Sequence, residues 1–513
     1  MEHFGLISLI PPLLAIILSW VTKNVLISLF LGVFSGALIL NDYNIITGFL
    51  RTLDNYVLNS LADGWNASII ILILALGGMV GIVTKSGGLQ TIGEFVYRRA
   101  KSVKSTQLAV FLLGIAIFYD DYSNTLIVGN TMRPLTDKMK ISREKLAYIT
   151  DTTAAAVVSM IPVSTWIAYE VGLIQDAITQ LELDQSAYLL FIESIPFRFY
   201  SIFALVMVLI VIFTNKEYGP MYDAEIRSRK TGKVLRDGAN PLASKELVDM
   251  DVSDDSKMTF VESFIPIIVL IFITIFGFWY DGGGPEGVAF VDAFGNADIG
   301  AVLLWASFTS GIVAGILAIL RGGMSVEETV DSWIDGAKSM VTACFLLILA
   351  WGIGTITSEL GTADFIVELA AGTIPAFIIP TLVFMMAAFI AFTTGSSWGS
   401  MAILMPLAVP LAFSLGAPLV PSIGAVLTGS IWGDHSSPLS DTTIMSSMAS
   451  ACDHMDHVET QMPYALLGAG VAIVFGFIPA GLGVSPIFLL PLGIIAMYVF
   501  FQVLGKDTTE VLE

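Results

Sequence analysis

A chain of 513 residues with 55% apolar and only 13% charged positions carries half the charge of an ordinary soluble domain, about 25%. That excludes a soluble enzyme and a disordered protein. Forty-four acids against 24 bases leave a net charge of −20, which excludes a nucleic-acid partner, since phosphate recognition needs a basic face. Cys344 and Cys452 lie in or beside apolar segments and imply no disulfide framework. Met1 to Leu6 has no basic n-region, so the first apolar run is expected to be a retained span rather than a cleaved signal.

Each crossing needs about 20 apolar residues, and the runs 5–21, 24–40 and 67–84 fit the first three. Between the second and third, 43–62 carries an apolar helical stripe of Ile45, Ile46, Phe49, Leu53, Val57 and Leu61, the pattern of a helix lying in the membrane interface. The apolar run 106–131 has basic flanks, Arg98 to Lys104 and Arg133 to Lys145. Bases mark the cytoplasmic side. Two cytoplasmic ends require a hairpin that enters and returns, with its tip near Tyr119 to Thr125. Arms of about 12 residues, about 18 Å, end near the middle of the hydrocarbon. Non-helical backbone at that depth must line a protein-enclosed cavity.

The run 146–178 contains Pro162, which should break the helix at mid-depth and free carbonyls. A crossing at 188–214 completes the first unit. The loop 215–257 is polar and of mixed charge and is expected to be a cytoplasmic linker. Crossings at 260–280 and 299–320, an interface helix at 325–338 and a crossing at 339–357 follow. The run 376–413 has no basic flank and a small polar tip, Thr393 to Ser400, and is read as a second hairpin entering from outside. A second broken helix spans 420–451 around Pro438. Crossings at 461–482 and 485–504 end the chain. The base-free loops 176–187, 281–298 and 359–375 hold acids only and are assigned outside; Arg51 and Arg198 are the bases that depart from this arrangement.

The two halves align at an offset of about 275 residues: Leu74-Ala75-Leu76-Gly77 on Leu349-Ala350-Trp351-Gly352, Phe118 on Phe392, and Pro162 with Ser164 on Pro438 with Ser440. The fold class is therefore an all-α polytopic membrane protein. It holds two inverted-topology repeats, each with a re-entrant hairpin and a broken transmembrane helix, and about eleven crossings. The first repeat covers 1–214, the linker 215–257, the second repeat 258–482, and the last helix with its tail 483–513. Inverted repeats with paired broken segments belong to secondary transporters, whose site lies at the midplane.

Ionisable groups inside spans point to function. Asp120, Asp121, Ser123, Asn124 and Thr125 at the first tip offer hard oxygens suited to a small hard cation such as Na⁺; helix capping by the two acids is the simpler alternative. Ser396 and Ser397 at the second tip and Asp441 complete the candidate ion ligands. Asp121, Asp434, His435 and Asp441 are the candidates for proton coupling, since burial raises the pKa of an acid and bound Na⁺ lowers it again. That competition alone produces antiport. Asp151, Thr152, Ser164, Thr165, Thr394, Ser437, Ser440 and Thr442 are expected to line the cavity. The string Asp453-His454-Met455-Asp456-His457 fits a metal site or a pH sensor, with a solvated helix end as the plainer reading. No nucleophile–base pair stands out, so no enzyme activity and no cofactor are expected.

The strings Gly433-Asp434-His435-x-Ser437-Pro438-x-Ser440-Asp441-Thr442-Thr443, Phe118-Tyr119-Asp120-Asp121-Tyr122 and Asp151-Thr152-Thr153 resemble the NhaC family of Na⁺/H⁺ antiporters over nearly the whole chain. The resemblance implies an elevator-type carrier in the cell membrane, working as a homodimer in the lipid bilayer with Na⁺ and H⁺ as its ions. Ser123-Asn124-Thr125 also resembles the hairpin signature of sodium-coupled dicarboxylate carriers, whereas Ser396-Ser397-Trp398 departs from it. The alternative is a Na⁺-coupled carrier of a small organic acid or amino acid.

Overall fold

The computed structural model describes residues 4–22, 24–87, 102–162, 164–241, 259–288, 293, 297–362, 365 and 374–508. Arg98 to Lys101, the linker beyond 241, Asp292, Asp364 and Glu368 lie outside the described residues, as do the side chains of Ser123 and Asp441.

The apolar runs form helices whose starts are set by polar caps. In the first repeat these are α1 (Ile10–Thr22), α2 (Val25–Leu40), α3 (Ile45–Arg51) with its π-helical continuation Thr52–Leu58, and α4 (Gly64–Lys85). The Asn24, Asn44 and Asp63 side chains accept from first-turn amides of α2, α3 and α4, satisfying donors no helix can satisfy itself. The first hairpin is α5 (Val103–Ala116) and α6 (Asp121–Lys138). The first broken helix is α7 (Arg143–Val158) and α8 (Ile167–Gln180). The bent pair α9 (Ala187–Ser194) and α10 (Phe199–Thr214) closes the repeat.

The same order returns as α12 to α20 once a linker helix is set aside. That linker helix is α11 (Pro220–Thr231). Then come α12 (Phe260–Asp281), α13 (Ile299–Leu320), α14 (Val326–Ser339) and α15 (Val341–Glu359). The second hairpin is α16 (Ile379–Thr394) and α17 (Ser397–Ser414), and the second broken helix is α18 (Leu419–Ser436) and α19 (Asp441–Ala449). Finally come α20 (His454–Val471), which runs on as one span to Gly481, and α21 (Pro486–Leu504). Seven described stretches are long and apolar enough to cross a membrane alone; α9–α10 adds one bent at 45°. The broken helices do not pass as single spans because each is two separate helices.

The first hairpin has longer arms than its apolar run suggested, whereas the second fills the run 376–413. The arms hold 14 and 18 residues in the first and 16 and 18 in the second. The second arm of the first hairpin continues as helix through Arg133 and Pro134 to Lys138, past the apolar run; Arg and Lys propagate a helix as well as apolar residues, and Pro134 is accommodated at the loss of one ladder hydrogen bond.

The repeats are interlocked. α14 packs on α4, while the π-helical continuation of α3 packs on α15. A Cβ on Gly81 would collide with the Ser332 carbonyl, and one on Gly77 would stand 2.7 Å from the Gly336 carbonyl oxygen. Small residues allow this close approach between helices. Each hairpin packs on the first half of its own broken helix and on the second half of the other: α5 and α6 on α7, α6 on α19, α16 and α17 on α18, α17 on α8.

The expected linker is not featureless. Glu225 of α11 accepts from the Ser142 amide and hydroxyl, both at 2.8 Å, and Arg227 pairs with Glu144 at 2.8 Å. The strand Lys216–Glu217 pairs antiparallel with Lys506–Asp507, and Lys145 reaches Glu217 at 2.7 Å. Buried charges hold α11 in place together with Met221 and Ala224, which is why it shows no long apolar stripe.

Candidate functional site

Both helices that Pro162 and Pro438 were expected to break are broken at those prolines: α7 stops at Val158 and α18 at Ser436. The carbonyls so released find named partners. Arg198, fully buried, donates to the Ser159 carbonyl at the end of α7 and pairs with the equally buried Glu170 of α8 at 2.8 Å. Its cation thus sits where the helix dipole is negative. Tyr188 donates to the Pro162 carbonyl at 3.2 Å. In the second break, Ser437 donates to the Phe392 carbonyl at 2.6 Å. Gly395, in the left-handed region at φ 67°, turns the second hairpin tip tightly against Leu439.

The first tip docks into the first break. The Thr165 amide donates to the Tyr119 carbonyl at 2.9 Å. The Thr165 hydroxyl lies 3.4 Å from Asp120 Oδ1, and the Trp166 indole N–H donates to Asp121 Oδ1 at 3.1 Å. The Asn124 amide nitrogen reaches the carbonyls of Gly114, Ile117 and Thr153 at 2.6, 3.0 and 3.3 Å. Asn124 therefore staples α5 to α7. Its Oδ1 is buried with no hydrogen-bond donor among the described residues. Thr125 bonds locally, to the Tyr122 carbonyl at 2.8 Å.

The second tip brings hydroxyls to a carboxylate on the broken helix. Ser397 and Thr442 reach Asp434 Oδ2 at 3.3 and 3.4 Å, and Ser440 lies 2.9 Å from Thr442. Ser396 caps α17 through the Gly399 amide at 3.1 Å, and Thr394 bonds back to Ile390 at 2.8 Å. Ser164 likewise bonds back, to the Val158 carbonyl at 2.8 Å. Asp441 opens α19, whose far end meets Gly129 of α6. The two tips are joined through aromatics: Tyr169 donates to the Trp398 carbonyl at 2.5 Å, and the Trp398 ring lies 5.3 Å from that of Trp166.

Asp151 and His435 belong to a separate network deeper in the bundle. Asp151 accepts from Thr443, Ser446 and Gln461 at 3.1, 3.1 and 2.9 Å. His435 Nε2 and His457 Nε2 both stand 3.9 Å from it. His435 also meets Thr152 at 3.0 Å and Tyr200 at 2.6 Å. Among the described residues no group of His, Cys, Asp and Glu is arranged to hold a metal ion in the manner of a resident site. His457 is completely buried rather than part of a solvated helix end.

Sequence reasoning missed Trp166, Tyr169, Tyr200 and Gln461. Trp166 and Tyr169 could have been found as the residues that reopen the helix after Pro162. Tyr200 and Gln461 carry no local signal. A further cavity of about 750 Å³ opens between the repeats, lined by Asn59, Asp63, Asn66, Gln175, Asp176 and Glu359 among others.

Two inverted repeats whose hairpin tips meet polar breaks define a multi-pass secondary transporter. The model of the Na⁺/H⁺ antiporter family matches residues 4–165 and 157–481, and this chain belongs to that family. It is 36% identical to an uncharacterised protein of Haemophilus influenzae over 491 residues, 93% of this chain and 92% of the relative. It is 28% identical to the malate-2H⁺/Na⁺-lactate antiporter of Bacillus subtilis over 34% of this chain and 38% of that protein. Among solved structures, MtrF of Neisseria gonorrhoeae, reported as an antimetabolite efflux pump, shares the fold with a TM-score of 0.53 at 16% identity, over 89% of this chain and 85% of that one.

Proposed function

We propose that the chain exchanges Na⁺ for H⁺ across the cell membrane by an elevator mechanism. The observation that carries this reading is Asn124 Oδ1, a buried acceptor without a donor among the described residues, one turn beyond Asp120 and Asp121. A buried carbonyl oxygen left without a donor is costly, and a hard cation beside two carboxylates relieves it. In this reading Asp121 and Asn124 are ion ligands, with Asp120, Ser123 and Asp441 completing the set. Asp434 and His435 share the proton chemistry. The hairpins with α7, α8, α18 and α19 form the moving body; α1 to α4 and α12 to α15 form the scaffold and supply a homodimer contact.

The test is Na⁺-driven acidification or alkalinisation in proteoliposomes with no other solute. Sodium-dependent proton movement in wild type, lost in Asn124→Ala and Asp121→Asn, is the expected result. Proton movement that needs an added organic acid or amino acid would overturn it in favour of a Na⁺-coupled organic solute carrier. The polar cavity with Asp176 and Glu359, large enough for such a solute, favours that second reading.

A further inference from the structure

His454 and His457 lie one helical turn apart on α20, and both point Nδ1 at one hydroxyl. Ser447 Oγ stands 3.1 Å from His454 Nδ1, 2.9 Å from His457 Nδ1 and 2.8 Å from the Thr443 carbonyl. The outer nitrogens are fixed by their partners. His454 Nε2 meets the Pro438 carbonyl at 2.8 Å, so it must carry a proton. His457 Nε2 meets Gln461 Oε1 at 3.0 Å. While Asp151 is ionised, Gln461 cannot be turned round, because its nitrogen already donates to Asp151 and to the His435 carbonyl. His457 Nε2 must therefore carry a proton as well.

If both rings are neutral, both Nδ1 atoms are bare acceptors. Ser447 has one hydroxyl hydrogen, and three acceptors surround it. One extra proton resolves the conflict: one Nδ1–H donates to Ser447, and Ser447 donates to the other Nδ1. His435 shows the contrast. Thr152 gives its hydrogen to the Tyr148 carbonyl at 2.7 Å and can accept from His435 Nε2, while Tyr200 can donate to Nδ1. A neutral His435 is fully satisfied.

We propose that His454, Ser447 and His457 form a proton-loading site on the linker side of the protein, and that it delivers its proton to Asp151. This rests on the proton-coupled reading above. The transfer balances without a co-reactant. His454 Nδ1 gives its proton to Ser447 Oγ, Ser447 gives its own to His457 Nδ1, and His457 releases the Nε2 proton to Asp151 Oδ2, 3.9 Å away; the Gln461 amide, no longer held by an ionised Asp151, then turns to donate to the bare Nε2. His454 is the partly exposed end of this chain and Asp151 the buried end. The charged and titratable groups around it are Asp151 and Tyr148 on α7, Asp434 and His435 on α18, and Tyr200 on α10. Arg133 and Arg143 donate to the carbonyls of Ala449 and Ala451. Asp453, Asp456 and Tyr464 belong to α20 itself, Arg236 pairs with Asp456 at 2.7 Å, and Cys452 lies alongside.

Two measurements test the site. In ¹⁵N spectra of the four histidines, His454 and His457 should titrate as one shared-proton event, and Ser447→Ala should split it into two. Independent titration in wild type, or two rings that stay neutral between about pH 5 and 8, would overturn the proposal whatever the protein transports. In proteoliposomes, His457→Gln and Ser447→Ala should lower Na⁺-driven proton flux at least tenfold while leaving ²²Na⁺/Na⁺ exchange intact, which also shows that the variants fold. Unchanged proton flux in both variants would overturn the route. A wild type that titrates as described but moves no protons under a sodium gradient would instead sink the Na⁺/H⁺ reading and leave the loading site standing.

Discussion

The two repeats place their charge differently. In the first, the carboxylates Asp120 and Asp121 ride on the hairpin tip, and the broken helix offers neutral donors, Thr165 and Trp166. In the second, the tip offers the hydroxyl of Ser397, and the carboxylate, Asp434, rides on the broken helix. The breaks differ as well. The first is clamped by the buried pair Arg198–Glu170, the second by a serine hydroxyl and a glycine pressed against backbone. Inversion thus supplies matching geometry twice, while the carboxylates are placed unequally. A pair of identical sites would bind two ions; an unequal pair can give each side its own task.

Four substitutions break or sharpen that contrast. Glu170→Gln should have the largest effect, since it leaves Arg198 buried beside a neutral partner; removing one member of such a pair costs about 3–5 kcal/mol. A fall in the unfolding temperature in detergent would report it, and Glu170→Met with Arg198→Met should recover most of the loss. Asp121→Asn comes next. The Trp166 N–H still finds an oxygen, so only charge is lost, worth about 1.5–3 kcal/mol; Na⁺ binding by isothermal calorimetry should weaken roughly 10–100-fold. Gly395→Ala forces a left-handed alanine against Leu439, at about 1–2 kcal/mol for the conformation alone. It should slow transport without altering Na⁺ affinity at equilibrium, whereas the first tip turns with no left-handed residue. Ser397→Ala removes one hydroxyl from Asp434, about 0.5–1.5 kcal/mol, and should shift the pH midpoint of transport with little change in maximal rate. Equal effects of Asp121→Asn and Asp434→Asn on Na⁺ binding would erase the proposed inequality.

Much of this was legible in the sequence because membranes punish polarity. Pro162 and Pro438 stood out as breaks and the two polar tips as turns, since such strings have no other place inside lipid. The arm length of the first hairpin was not legible, because Arg133, Pro134 and the charges up to Lys138 read as the end of a helix, yet α6 runs on through them. The Arg198–Glu170 clamp was hidden because its members sit on different helices across a break, so no spacing rule links them. α11 lacked a long apolar stripe because Glu225 and Arg227 hold it together with Met221 and Ala224. His457 looked solvent-facing beside Asp453 and Asp456, yet it is buried. Met455 in the same string is exposed, and one string can hold both surfaces.

The glycine seam between α4 and α14 has a consequence for biogenesis. At about 5–20 residues per second, α14 leaves the ribosome on the order of tens of seconds after α4 has entered the bilayer. For that interval the flat stripe of Gly77, Gly78 and Gly81 has no native partner. Lipid covers that face until α14 arrives, and a bulky residue there would block the seam from closing, so it should lower the yield of assembled protein.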